Sequence, residues 1–464
     1  MSENAGSIST KSKDLTTYLK HYGFLFPNAE IYGGLAKSWD LGPYGAELKR
    51  NLKNLWWKYF ITFSPYNVAC DSLIITHPKV LAASGHQKNF HDWLTECPNC
   101  QKRYRLDNII SPNEFADFLE KEDKSSYLVK VNCSNCGTDN FHPPRQFNLL
   151  LTTNLEITSE KENTVYLRPE TCQGIFTNFL TIQRSAHRQL PFGIGQIGKS
   201  FRNEITLQHG IFRTREFEQL ELEFFCVPEE SEKWWDYWTE KAWDFLQKII
   251  VNNQPKIKQV NLKKEELPHY SKKTMDLYFQ YHFGWGELCS NSHRGNYDLS
   301  QHSKYSQKDL SINGTVPTVI EVSFGVERLM LAVLEDAYQE EIVAGSQSTR
   351  TVLKIPPLLT PYFAAIIPLS KQLKESAYQL YLSLLPAVQF NLAYEEAPNI
   401  GKAYRRQDAI GTYYCITVDF QTIQDNTITL RHRNSMEQLR VSNNDIKIYL
   451  NSLYEKHWQE FTKK

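Results

Sequence analysis

From Phe217 to Val227 the chain alternates with a period of two. Phe217, Gln219, Glu221 and Glu223 fall on one face of an extended strand, and Leu220, Leu222, Phe224 and Cys226 on the other. Two more segments repeat the pattern. Ile194 to Glu204 sets Ser200, Arg202 and Glu204 against Ile197 and Phe201, and Thr318 to Phe324 sets Glu321 and Ser323 against Ile320, Val322 and Phe324. Strands with one apolar face need a layer that buries it, so these predict a sheet backed by helices. The first two lie too close in sequence for a crossover connection, which favours antiparallel pairing. A solvated sheet face would explain the alternation equally well. It does not explain why arginines and glutamates collect beside Phe217, nor why the connecting loop, HGIFRTRE, adds Arg213 and Arg215. Convergent polar groups above an apolar layer predict a binding site.

Composition narrows the class. Of 464 residues, 41% are hydrophobic and 22% charged, enough for a packed core. Lys+Arg and Asp+Glu both number 52, which excludes a globally basic nucleic-acid coat and leaves room only for local basic faces. The opening MSENAGSISTKSKDL has no apolar leader core, and no stretch nears the ~18 apolar residues of a membrane span. A cytoplasmic protein with no membrane segment is expected. In that setting the nine cysteines read as reduced thiols or metal ligands.

A first helix is predicted from Tyr44 to Tyr59, with Pro43 just before it and Leu48, Leu52, Leu55 and Tyr59 on one stripe. Trp56 and Trp57, expected to be exposed, exceed what one stripe buries. The helix is either ordinary core or one that also packs on a second subunit. Val165 to Leu167 reads as a strand, followed by a helix opening at Pro169 and running to about Gln183. A break at 345–361, rich in small residues and proline, separates a β-α-β-α-β pattern: Ala364 to Ile367, Lys371 to Leu385, Val388 to Tyr394, Ile400 to Ala409 and Tyr413 to Asp419. This reads as a separate α/β domain. Residues 350–464 hold 14 Lys/Arg against 10 Asp/Glu, a mild basic excess.

Two knuckles, Cys97-x2-Cys100 and Cys133-x2-Cys136, are separated by 32 residues. Paired CxxC knuckles supply the four tetrahedral thiolates that zinc prefers. An acidic helix near Asn113 to Lys124 would fill the long separation. A redox thiol pair and two metal-free packed pairs are the alternatives. The remaining cysteines, Cys172 among them, show no ligand spacing.

Phe201-Arg202-Asn203-Glu204, a loop, and then Arg213-x3-Phe217-x3-Glu221 resemble motif 2 of the class II aminoacyl-tRNA synthetases. Gly325-Val326-Glu327-Arg328 resembles their motif 3. YGGLAKSWDLGPYGAELKRNLKNLWW, LRPETCQGIF, GWGEL, VIEVSFGVER and IGKAYRRQDAIGTYYCITVD are similar to segments of the glycyl-tRNA synthetases of the homodimeric type. The likeness runs from about residue 15 to 460.

This resemblance implies an α+β fold: a class II antiparallel sheet flanked by helices over 1–350, with a zinc-knuckle insertion at about 97–136, then a smaller α/β anticodon-binding domain over 351–464. It implies a homodimer whose partners are tRNA(Gly), glycine and ATP, with Mg²⁺. Arg202 would bridge the amino-acid carboxylate and the α-phosphate, and Arg213 and Arg328 would hold the γ-phosphate; these three are the implied catalytic residues. Asn203, Glu204, Phe212, Phe217, Leu288 and Gly325 complete the implied ATP site, and Glu287 would carry Mg²⁺. Arg105, Glu170, Phe217, Glu221, Glu321 and Ser323 are the implied glycine contacts. Two departures stand out: Glu321-Val322-Ser323 replaces Glu-Pro-Ser, and Cys289 to Ser292 replaces a stretch beginning Gly-Ile-Ala, which puts detail near the nucleotide in question. Two other functions fit less well: a non-catalytic synthetase-like accessory or RNA-binding protein, and a class II synthetase for another small amino acid. In the C-terminal domain Arg431 and Arg433 share a strand face and are candidates for RNA contact, a solvated charged strand being the equal alternative. Lys402, Arg405 and Arg406 lie on the short helix there.

Overall fold

The computed structural model describes residues 15–463 apart from 36, 122, 125, 126, 128, 140, 156–163, 206, 208, 253–255, 343–347 and 398. The polar first dozen residues and the start of the 345–361 break lie outside the described residues.

The larger unit is built on seven strands: β1 (Asn67–Ala69), β2 (Phe192–Phe201), β3 (Glu216–Cys226), β4 (Ile257–Asn261), β5 (Lys273–Tyr281), β6 (Gly284–Gly295) and β7 (Thr318–Gly325). Their spatial order is β4-β5-β6-β7-β3-β2-β1. Every pair is antiparallel except β1 with β2. Five helices matter to this sheet: α1 (Pro43–Trp57), α2 (Cys172–Ser185), α3 (Ser231–Ile249), α4 (Tyr297–Ser306) and α5 (Val326–Ala337).

The predicted apolar underside is real. Leu220, Leu222, Phe224, Ile320, Val322 and Phe324 join Leu48, Leu52 and Leu55 of α1, Trp238 and Phe245 of α3, and Leu329 and Val333 of α5 in one core. The opposite face is polar only in part. From Phe225 onward it is covered by Phe176 and Phe179 of α2 and Leu299 of α4.

Several local details differ from the sequence reading. Pro43 is the first residue of α1, not the one before it, and the helix ends in a π turn at Lys58–Thr62. Trp56 is fully buried, stacked on Phe60 with centroids 5.2 Å apart, while Trp57 is half-buried. β2 stops at Phe201, so Arg202 and Glu204 lie beyond the strand. The helix expected to open at Pro169 starts at Cys172, because the Pro169 carbonyl instead accepts from Arg202 Nε at 3.0 Å.

The smaller unit is a five-stranded sheet in the order Leu392–Tyr394, Ala364–Pro368, Tyr414–Val418, Thr427–His432, Gln438–Ser442. Its first three strands are parallel, as the β-α-β-α-β pattern requires. An antiparallel hairpin and the helix Ile446–Thr462 complete it. The described part of the segment between the units is packed in place. Strand Thr349–Leu353 pairs with Tyr338–Ile342, and Leu353, Ile355, Leu359, Ile410 and Phe461 belong to the core of the larger unit.

Arg431 and Arg433 are overturned as RNA-contact candidates. They are 5% and 2% exposed. Arg431 binds both Asp408 oxygens, at 2.8 and 3.0 Å. Arg433 donates to the carbonyls of Gly411 and Ile355, both at 2.8 Å. Nor are they a solvated charged strand: this end of the strand packs on the interdomain segment. Arg350 from that segment meets Asp408 as well, at 3.0 Å.

Candidate active site

The strands converge on a cavity of about 340 Å³ above the polar part of the sheet. Register assembles its floor. β3 sets Glu221 opposite Ser323 and Glu223 opposite Glu321 of β7, while Gln219 faces Gly325. One end of the cavity is cationic: Arg202, Arg213 and Arg328 line it together with Glu204, Phe212, Phe217, Glu287 and Gly325. Arg202 sits 5.2 Å over the Phe217 ring. Arg328 sits 4.6 Å over Phe212 and donates to Glu287 Oε1 at 3.0 Å. A Cβ on Gly286 would meet Phe212 at 2.8 Å, so glycine is needed there for the motif 2 loop to dock.

The other end holds Glu170, Glu221, Glu321 and Ser323, which also line the cavity. Thr171 Oγ1 donates to Glu221 at 2.7 Å, and Thr171 N–H and Ser200 Oγ both donate to Gln219. Beneath lies Arg294, bidentate on Asp298 at 2.7 and 2.8 Å, in contact with Glu321 and stacked 3.8 Å over Tyr270. Acids outnumber their cations here, and the titrations respond. Burial pushes Glu221 up to about 7, with Glu170 adding to it against the Thr171 hydrogen bond. Burial likewise pushes Glu321 up to about 8 against the pull of Arg294. Glu223 is fully buried with both oxygens unpartnered among the described residues, and burial and Glu321 hold it well above the usual range. Glu170 goes the other way. Burial opposes its charge, but His86 at 3.4 Å holds it well below the usual range. Burial and Glu170 keep Cys172 a neutral thiol, donating to Glu170 at 3.0 Å. It is a packing donor and not a nucleophile.

Helix α1 ties the two arginine-bearing motifs together. Lys49 Nζ lies 2.6 Å from Glu327 and 2.9 Å from Glu218, Lys53 lies 3.0 Å from Glu218, and Glu327 accepts the Glu218 N–H at 2.9 Å.

Three sequence-predicted residues stay out of the cavity. Asn203 uses its N–H on the Leu149 carbonyl at 2.8 Å. Leu288 is core: the register of β5 against β6 shifts between Leu277 and Tyr278, so Leu288 and Cys289 both point down, while Glu287 and Ser290 face the cavity. Of the Cys289 to Ser292 departure, Cys289 therefore lies in the core, whereas Ser290 lines the cavity. Arg105 is held by Asp92 at 3.2 Å and by Asp107 in the insertion. Conversely, Thr171 and Asp276 line or brace the site without having been singled out. Thr171 carried no periodic signal, and Asp276 sits on a strand whose face no motif marked.

Among the described residues, two groups bring three or more metal-ligating side chains together. Cys172, Glu223 and Glu321 already neighbour the Arg294 guanidinium, which opposes a second cation. The four knuckle cysteines are different. Cys97 and Cys136 sulfurs are 3.6 Å apart, as are those of Cys100 and Cys133, and all four lie within 4.8 Å of one another. These are non-bonded spacings, suited to four thiolates about one tetrahedral ion. Both knuckles fold alike: Gln101 N–H bonds the Cys97 carbonyl and Gly137 N–H the Cys133 carbonyl, each at 2.8 Å, with both residues at positive φ. The expected acidic helix is present as Pro112–Glu120, and its Phe118 packs with Cys97 and Cys133.

Comparison with known proteins bears directly on this geometry. The chain is 46% identical over 458 residues to the glycine–tRNA ligase of Mycoplasma mycoides subsp. mycoides, covering 96% of this chain and all of that one. The chain belongs to the glycine–tRNA ligase family. A second member of the family, from Caldanaerobacter subterraneus subsp. tengcongensis, is 45% identical over 93% of this chain and 96% of its own. The tRNA synthetase class II core domain (G, H, P, S and T) matches residues 152–337, and the anticodon binding domain matches 364–453. A prolyl-tRNA synthetase from Cryptosporidium parvum, solved with L-proline and AMP, has the same fold. Its TM-score is 0.62 at 12% identity, covering 99% of this chain and 78% of that one. No helix among the described residues is long and apolar enough to cross a membrane.

Proposed function

We propose that this chain attaches glycine to tRNA(Gly) at the expense of ATP, in two steps. A glycine carboxylate oxygen attacks the α-phosphorus and pyrophosphate leaves. A hydroxyl at the tRNA 3′ end then attacks the carbonyl carbon and AMP leaves. The observation that carries this reading is the bipolar cavity: three arginines beside two aromatic rings at one end, and an excess of buried carboxylates at the other. The arginines suit two anions that repel each other and must be held in line. The carboxylates suit an ammonium group. That end is walled by polar side chains, so a bound amino acid with a side chain would displace charged groups and not merely fill space.

In this reading Arg202 holds the amino-acid carboxylate against the α-phosphate, Arg213 and Arg328 take the outer phosphates, and Phe217 stacks on adenine with Glu204 at its edge. Glu287 would hold Mg²⁺, which supplies charge neutralisation to the leaving phosphates. Glu170, Glu221, Glu321 and Ser323 receive the glycine ammonium. ATP–pyrophosphate exchange across a panel of amino acids is the test. Exchange with glycine alone is expected; exchange driven by alanine or serine instead, or by none, overturns the assignment.

We read the division of labour as falling near residue 350, with tRNA contact in the C-terminal unit. The exposed cations Lys402 and Arg406 and the half-buried Arg405, which line a groove with Tyr22 and Tyr44, support it. A homodimer is supported by the exposed Ile31 and Tyr32 on the loop before α1, each 87% exposed. A cytoplasmic location follows from the reaction proposed. One structural zinc per chain is supported by the four-cysteine geometry. Elemental analysis should find it in protein purified without added metal, and Cys133→Ser should lose it; retained zinc in that variant counts against these ligands.

A further inference from the structure

We propose that Glu223 is a positioning residue of the glycine end: a neutral carboxylic acid whose O–H donates to the Glu321 carboxylate, so that with glycine bound the two acids hold one proton between them. The inference rests on the reading of that end as the ammonium site. β3 sets Glu223 opposite Glu321 of β7 on one side and opposite Ile194 of β2 on the other. Glu321 lines the cavity; Glu223 is fully buried and does not. One oxygen of each acid and the Cys172 sulfur lie within 4.8 Å of one another. Both Glu223 oxygens are buried with no hydrogen-bond partner among the described residues. A buried carboxylate without a donor is costly.

The neighbouring donors are committed elsewhere. Arg294 of β6 places Nε and Nη2 on Asp298 of α4, and Nη1 on Glu321. The Cys172 thiol donates to Glu170, and His302 of α4 meets Gln173 at 2.9 Å. Glu221, two residues back along β3, takes the Thr171 hydroxyl. Glu223 therefore faces a second carboxylate without a cation of its own. Two ionised acids this close and away from water repel strongly, and one proton between them removes the conflict. That proton belongs on Glu223, because the Arg294 guanidinium favours the charged form of Glu321. Burial and Glu321 act in the same direction, holding Glu223 well above the usual carboxylate range. Protonation turns an orphaned acceptor into a donor. Glu321 is then held by Arg294 and by Glu223 together, which fixes its carboxylate toward the ammonium. When the ammonium binds, the proton released to solvent is the one on Glu321, and the one on Glu223 stays.

The test uses the full-length protein, glycine-dependent ATP–pyrophosphate exchange followed over pH, and infrared difference spectra of the glycine-bound form. Glu223→Leu removes the donor. Its KM for glycine should rise about tenfold or more, with the pH midpoint of that KM moved upward and the KM for ATP unchanged. Glu223→Met serves as the second apolar variant should leucine misfold. Glu223→Gln restores a neutral donor of the same length and should rescue both the KM and its midpoint. Above the pH at which Glu321 ionises, glycine-bound wild type should keep the carbonyl stretch of one protonated carboxylic acid, and Glu223→Gln should lose it. A KM raised as much by glutamine as by leucine overturns the proposal, since Glu223 would then act as an anion. Wild-type KM and midpoint in a folded apolar variant also overturn it, since a purely structural Glu223 would give that result. Wild type with no glycine-dependent exchange overturns both this role and the glycine reading beneath it.

Discussion

Arg202 and Arg431 occupy similar places in the sequence: each closes an alternating strand and has aromatic residues nearby. Their fates differ. Arg202 opens on a cavity, bonded to one carbonyl and stacked on Phe217. Arg431 is sealed in a bidentate pair with Asp408 and stacked 4.7 Å over Tyr404. What separates them is the layer above the sheet. Over β2 and β3 the covering helix α2 begins only where the face turns apolar, so the polar stretch borders open space. Over the C-terminal sheet the interdomain segment lies directly on the arginines: its Ile355 carbonyl accepts from Arg433, and its Arg350 donates to the carbonyls of Arg433 and Asn434. Charge on a strand face therefore marks a site only where nothing else from the chain covers it.

Substitution should separate the two regions, and the largest effect belongs to the sealed one. Arg431→Met leaves Asp408 short of a partner and should cost about 3–5 kcal/mol of stability, read as a lowered denaturant midpoint, with glycine-dependent exchange per folded molecule unchanged. A normal midpoint with weakened tRNA binding would instead return Arg431 to the RNA surface. Arg202→Ala should behave in the opposite way. Its melting should stay near wild type while kcat/KM for exchange falls about 10²-fold or more, as removal of a transition-state contact does. Full exchange activity in that variant would erase the distinction drawn above.

The smallest effect is the dependence on pH at the carboxylate end. Glu221 and Glu321 titrate at about 7 and about 8, above the usual carboxylate value, chiefly because of burial. A carboxyl raised on folding stabilises the folded state fully at low pH, and that contribution fades as pH rises through the raised value. The ligand-free protein should therefore lose melting temperature as pH rises through this window. Bound glycine should flatten the slope, because its ammonium favours the ionised acids. The KM for glycine should accordingly fall several-fold over the same rise, and Glu221→Gln should weaken the dependence. A KM that climbs with pH would remove these acids from glycine binding.

Much of the site was legible in advance because its signals are local. The period-two pattern of β3 and β7 placed Gln219, Glu221, Glu321 and Ser323 on the face they occupy, and the cysteine spacing marked four residues that do meet. Thr171, which braces Glu221 from a helix start, had no such pattern. Leu288 was named from the resemblance alone and its side chain is core, while the one-residue register shift that turns Cys289 down and Ser290 up left no mark in the sequence. Trp56 was read as exposed because α1 is covered on more than one side. No single stripe could reveal that Phe60 and α3 both pack there.

The amino-acid sequence by itself determined the strands, their apolar undersides, the order of the two units and the residue types of the cavity, since each follows from backbone period and side-chain polarity within a few neighbouring residues. Depth was decided only by the tertiary structure. Whether an arginine meets a ligand or a buried aspartate, whether Glu223 has a partner for either oxygen, and which acids are forced above their normal titration all depend on what distant segments bring to the same point. Desolvation and charge pairing act through space over a few ångströms. Segments hundreds of residues apart come that close only after the chain has folded.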